Sequence, residues 1–66
     1  MNTLDTIIWL NKEIDKINAE STIIGEMLLE ETSIELIKIL DKRLAEMEKR
    51  MVYLQSKIEF EKKQIN

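Results

Sequence analysis

The sequence predicts an all-α fold, an antiparallel helical hairpin of two long helices that dimerises into a four-helix bundle or coiled-coil assembly. Three observations predict it. The 66 residues include one Gly, no Pro and no Cys, with 44% apolar and 35% charged side chains, a balance that suits helices and starves turns. Apolar residues recur at alternating spacings of three and four, the period of one helix face. The recurrence falls into two registers that do not join, so the chain folds back between them.

The first helix, about 3–30, carries Ile7, Leu10, Ile14, Ile17, Ile24 and Leu28 on one face, with Ser21 in the remaining slot. The second, about 33–64, repeats the pattern more strictly at Ile37, Leu40, Leu44, Met47, Met51, Leu54 and Ile58, then Ile65, broken only by Glu61. One continuous rod is disfavoured. Extending the first register would place Glu35, Lys42 and Lys49 on the seam, whereas the second begins at Ile37, a slip of two that coiled coils do not readily absorb. The slip falls at a turn of about 31–33, where Thr32 and Glu35 have the T-x-x-E spacing of a capping box. No Gly, Asn or Pro closes the first helix there.

The two helices are nearly equal, roughly 42–48 Å at 1.5 Å per residue, and residues 1–66 make a single hairpin domain. A core of this size seldom supplies more than ~3–5 kcal/mol without disulfides, metal or a partner subunit. Cys and His are both absent, so disulfides and soft-metal sites have no ligands and self-association is the remaining support. Further apolar residues flank the seam at Ile8, Trp9, Ile23, Met27 and Leu29, then Leu36, Ile39, Val52, Tyr53 and Phe60. Stripes that wide call for a second surface, most simply another hairpin in an isologous dimer. Within the first helix, Asn18, Ser21 and Gly25 form a small-residue strip that permits close approach of another helix, a groove for a partner's helix, or a break near residues 19–22.

Ten basic and 13 acidic side chains give a net charge of −3, which argues against a generic nucleic-acid binder. The charge is polarised: residues 1–36 carry −6 and residues 37–66 carry +3. Acidic turn ends and basic open ends favour two hairpins packed with turn beside open end. The start lacks a basic leader and is interrupted by Asp5, and the longest apolar run, Ile7-Ile8-Trp9-Leu10, is far below membrane-spanning length. The expectation is a cytoplasmic protein without membrane contact.

Antiparallel pairing gathers Trp9, Tyr53 and Phe60 at the open end, among Lys12, Arg50 and Lys57. Aromatic residues amid basic ones make a protein-binding hot spot or a base-stacking platform, and otherwise cap the bundle core inside a solvated rim. Glu26, Glu30, Glu31 and Glu35 cluster at the turn, where they either help the N-terminus of the second helix or meet a basic partner or hard cation. Met47 and Met51 sit on the seam and read as core filling. Glu46 with Arg50, and Glu59 with Lys63, are four-apart pairs that solubilise a helix.

Residues 37–44 read Ile-Lys-Ile-Leu-Asp-Lys-Arg-Leu and keep only the Leu-Asp pair of the S-Q-x-L-D-x-L-I stretch of the sporulation aspartyl-phosphate phosphatases. In length and expected dimeric bundle the chain is similar to the plasmid Rop-type RNA-binding hairpins, without a shared stretch of residues. Both resemblances concern architecture only.

No nucleophile–base pair, phosphate loop or metal-ligand set is present, so no catalytic residue, cofactor or metal is expected and the chain is not an enzyme. The leading expectation is a homodimeric interaction module, of the inhibitor, anti-repressor or adaptor kind that phages and plasmids encode, occluding an unidentified protein target through Trp9, Lys12, Arg50, Tyr53, Lys57 and Phe60. The alternatives are a Rop-like RNA-binding hairpin dimer and a purely structural assembly module.

Overall fold

In the computed structural model, which describes residues 2–65, two helices pack side by side as a hairpin: α1 (Thr3–Glu30) and α2 (Ile34–Ile65). The molecule measures 50 × 15 × 15 Å.

α1 begins where Asn2, in extended backbone conformation, accepts the Asp5 N–H on Oδ1 at 2.8 Å. The Asn2 carbonyl accepts both the N–H and the hydroxyl of Thr6, each at 3.0 Å. Asn is among the strongest N-caps, and Asp5 in the first turn complements the helix dipole. The helix then runs without a break through residues 19–22 and Gly25. Ser21 and Thr22 donate their hydroxyls to the carbonyls of Ile17 (2.6 Å) and Asn18 (2.9 Å), which removes their competition for the helical backbone. Of the readings open at that strip, the continuous helix is the one adopted.

The turn is made without glycine and without any positive-φ residue among those described. Glu31 leaves the helix at φ −78°, ψ 132°, while its N–H still reaches the Met27 carbonyl at 3.0 Å. Its carboxylate then bends forward, and Oε1 accepts the N–H groups of Thr32 (3.0 Å) and Ser33 (2.9 Å). One side chain thereby satisfies two backbone donors that the turn would leave orphaned.

The expected Thr32–Glu35 capping box does not form. Ser33 caps α2 instead, its Oγ accepting the Leu36 N–H at 3.3 Å and its carbonyl the Ile37 N–H at 2.9 Å. Because Glu31 draws Thr32 into the turn, the cap moves one residue on and α2 starts at Ile34 rather than 33. Glu35 remains in the first turn of α2, where a carboxylate is favourable.

The two apolar seams face each other. Leu10, Ile24, Met47, Leu54 and Ile58 are buried, and Leu10, Leu54 and Ile58 form a cluster against which Ile14 and Ile17 pack. Ile7, Leu28, Ile37, Leu40, Leu44 and Met51 are half-buried. Ser21 occupies its seam slot half-buried, its hydroxyl 3.6 Å from Met47 Sδ. Leu10 beside Leu54, Glu20 bonded to Arg43 and Ser21 against Met47 define an antiparallel register with the turn at one end and both chain ends at the other. Ile65 is the last residue of α2 and is 51% exposed.

A hairpin of this kind hides little. Its accessible surface is 5280 Å², against about 4,400 Å² for a typical folded monomer of its 7.8 kDa. Thirteen large hydrophobic residues are 46–87% exposed, whereas five are buried. No helix of the described residues is long and apolar enough to cross a membrane.

Candidate interaction surface

An antiparallel hairpin presents two broad flanks, and the contacts across the seam show which residues share each one. Glu20 and Arg43 meet at 3.1 Å over one flank, and a shallow, open depression there is lined by Ile17, Glu20, Arg43, Glu46, Met47 and Arg50. A second depression, lined by Ile17, Ser21, Leu44, Met47, Glu48 and Met51, marks the other flank. Residues three and four apart continue each flank along its helix.

On the Glu20–Arg43 flank this spacing aligns Trp9, Ile23 and Met27 of α1 with Leu36, Ile39, Tyr53 and Phe60 of α2. Their exposures run from 46% for Trp9 and Leu36 to 62% for Ile39. The apolar residues form two patches. Ile23, Met27, Leu36 and Ile39 lie toward the turn, and Trp9, Tyr53 and Phe60 toward the open end. Between them runs a charged belt of three rows, roughly one helical turn apart: Glu20 beside Arg43, Lys16 level with Glu46, and Glu13 level with Arg50. In each row α1 and α2 carry opposite signs. We refer to this flank as the aromatic face.

The open-end patch is bordered by cations that lie over its rings. The Arg50 guanidinium is 5.3 Å from the Tyr53 ring centroid, and the Lys57 ammonium is 6.0 Å from that of Phe60. At exposed sites such contacts contribute about 0.5–1 kcal/mol. Ion pairs among the described residues are Glu20–Arg43, Glu13–Lys16 at 3.4 Å and Glu59–Lys62 at 3.7 Å, all at least partly solvated and individually weak. Glu59 thus pairs three residues on rather than with Lys63. Glu46 and Arg50 are not within ion-pair distance.

Five of the six candidate contact residues, Trp9, Arg50, Tyr53, Lys57 and Phe60, share the aromatic face. Lys12 does not, because its position on α1 points it outward, opposite the seam. The turn-end patch of Ile23, Met27, Leu36 and Ile39 belongs to the same face; the sequence marks these residues as apolar positions beside the seam but does not join them to the aromatic cluster. The signal exists: Ile23 holds the heptad position of Trp9 and Ile39 that of Tyr53 and Phe60, while Met27 and Leu36 continue the rows of Glu20 and Arg43, but it emerges only when both helices are numbered from a common seam. The opposite flank is more polar and carries Asn11, Asn18, Gly25 and Gln55, with Leu4, Ile8, Leu29, Ile34 and Val52 scattered along it.

The glutamates at the turn do not converge on a common point. Among the described residues, no group of three or more carboxylates is placed to hold a metal ion, and Glu31 spends its carboxylate on the turn backbone. The depressions on the surface are open, and their linings mix apolar side chains with charged ones such as Glu48, Lys49, Glu59 and Lys63. Compared with known proteins, the chain matches no family model, no curated protein and no solved structure.

Proposed function

We propose that this chain is a small, non-enzymatic protein–protein interaction module whose working form is a homodimer of two hairpins in a four-helix bundle. It regulates by covering part of a target protein, as an inhibitor, anti-repressor or adaptor does. The observation that carries this reading is the imbalance between five buried and thirteen exposed large apolar side chains. Seven of the thirteen gather into two patches on one face, and clustered apolar surface on a small chain marks an interaction site. The surface excess of roughly 900 Å² over a typical monomer of this mass is close to the ~800 Å² that each partner contributes to a standard interface.

The aromatic face offers no basic track for a phosphate backbone, since acids and bases alternate along it. That weighs against the RNA-binding alternative. A purely structural role is favoured by the unbroken seam of α2 from Ile37 to Ile58 and differs in one readout. There, Leu44→Asp abolishes function while substitutions on exposed faces are silent.

Sedimentation equilibrium across micromolar concentrations tests the working form, and the Trp9→Ala and Phe60→Ala variants test the surface. The expected result is a dimer whose association, and with it target capture, is lost in both variants while helix content is kept. A chain that stays monomeric yet cooperatively folded, or variants that fold and bind as before, would refute it.

A further inference from the structure

The two apolar patches and the charged belt of the aromatic face are arranged in a way that selects both an occupant and its orientation. We infer that this face is covered by a second copy of the chain laid turn beside turn, so that α1 of each hairpin lies over α2 of the other. The inference rests on the dimeric reading above and specifies its geometry.

The charged rows decide it. With turns together, Glu20 lies over the partner's Arg43, Lys16 over the partner's Glu46, and Glu13 over the partner's Arg50. Within one hairpin the Glu20–Arg43 row is an ion pair at 3.1 Å, while the other two rows set opposite signs level with each other, Lys16 bonding Glu13 along α1; the second copy completes each row as an alternating square. The reversed packing, with turn beside open end, lays α1 over α1 and α2 over α2. Glu20 then comes level with the partner's Glu13, Arg43 with the partner's Arg50, and Lys16 with its own counterpart, so every row sets like over like. Juxtaposed like charges are a strong bar to a wrong arrangement.

Most of the polarity between acidic turn and basic open end, which favours the reversed packing, resides elsewhere; Glu30 and Lys57 lie on the aromatic face but outside the three rows, level with Ser33 and Thr6. Glu26, Glu35 and Lys63 occupy the outward ridges, on the far side of each helix from the seam. At physiological ionic strength, charges beyond about 8 Å are largely screened, so the rows at the interface outweigh the ridges behind it. The apolar patches fit either packing, since the turn-end and open-end patches are similar distances from the middle of the hairpin. With turns together, Ile23 and Met27 meet the partner's Ile39 and Leu36, and Trp9 meets the partner's Tyr53. The opposite flank and the outward ridges stay free for a target, so in this geometry Trp9, Arg50, Tyr53, Lys57 and Phe60 serve self-association and are not the direct target contacts expected from the sequence.

The chain has no cysteine, so Thr32→Cys introduces a single spin-label site, at an exposed residue of the turn. Electron–electron distance measurement on the dimer, with Trp9 emission followed through dilution, tests the inference. Turn beside turn places the two labels about 20 Å apart, the width of a pair of packed helices, and Trp9 emission shifts to the red as the dimer dissociates. A dimer whose label separation approaches the 50 Å length of the hairpin overturns the orientation and leaves the dimeric reading standing. A dimer in which Trp9 emission does not respond to dissociation uses the other flank and overturns the choice of face. A labelled chain that sediments as a monomer overturns both the inference and the reading beneath it.

Discussion

Gly25→Ala is expected to stabilise the protein, and the reasoning behind that expectation reaches beyond the glycine itself. Gly25 lies in the interior of α1 with helical, negative-φ backbone, so its freedom serves no conformational need. A Cβ built there meets nothing within 4 Å, so alanine adds no clash. Replacing an unneeded helix-interior Gly with Ala recovers about 1 kcal/mol of backbone entropy and exposure per chain. For a domain of this size that corresponds to a rise in Tm of about 4–8 °C. The assay is thermal unfolding followed by far-ultraviolet circular dichroism, at one fixed protein concentration because the proposed self-association would couple Tm to concentration. A fall in Tm, or weaker self-association, would refute the reasoning. It would mean that the space above Gly25 is occupied in the working form, and that the flank opposite the aromatic face is where helices approach.

Leu54→Ala removes the most deeply buried side chain, 1% exposed, and is expected to cost about 2–5 kcal/mol. This matches everything a core of this size supplies, so the variant should be largely unfolded in urea titrations at low concentration. Ser33→Ala should cost about 1 kcal/mol through loss of the α2 cap, while Thr32→Ala should stay within about 0.5 kcal/mol. The reverse order would restore the Thr32 capping box. Arg43→Glu is expected to change the stability of the single hairpin by less than about 1 kcal/mol, since its ion pair is half solvated. It should weaken self-association several-fold at low salt and less at high salt. A salt-independent effect would remove the charged rows from the account of dimer orientation.

The hairpin was legible because its physics is local. Spacings of three and four put Leu10, Ile24, Met47, Leu54 and Ile58 on inward faces, and those are the residues the packing buries. A two-residue slip cannot be absorbed by a continuous coil, which located the turn. The identity of the cap was not legible, because Thr32 and Ser33 are both acceptable caps and the choice is made by a side chain preceding them. Glu31 binds both N–H groups, and no pattern of helix signals encodes that. The continuity of α1 was equally hidden, since the Ser21 and Thr22 hydroxyls either disrupt a helix or fold back onto it. The aromatic face needed the pairing of two helices before Ile23 and Ile39 could be seen as neighbours of one patch. Lys12 entered the candidate set because antiparallel pairing puts it at the level of the aromatics, but midway in sequence between the seam residues Leu10 and Ile14 it lies on the back of α1, at the border of that flank.

The turn has a practical consequence for anyone who wishes to alter the molecule. It contains no residue in a backbone conformation restricted to glycine, and its two internal N–H bonds come from one carboxylate. Nothing in it is an anchor for the core. Lengthening such a connection adds only about 0.6 kcal/mol per doubling, so the segment between Glu30 and Ile34 is the natural place to splice in an epitope or a reporter. With Asn2 and Ile65 both at the far end of the rod, the same two helices could also be rejoined there and opened at the turn, giving a permuted chain with the same seam and a reversed order of helices.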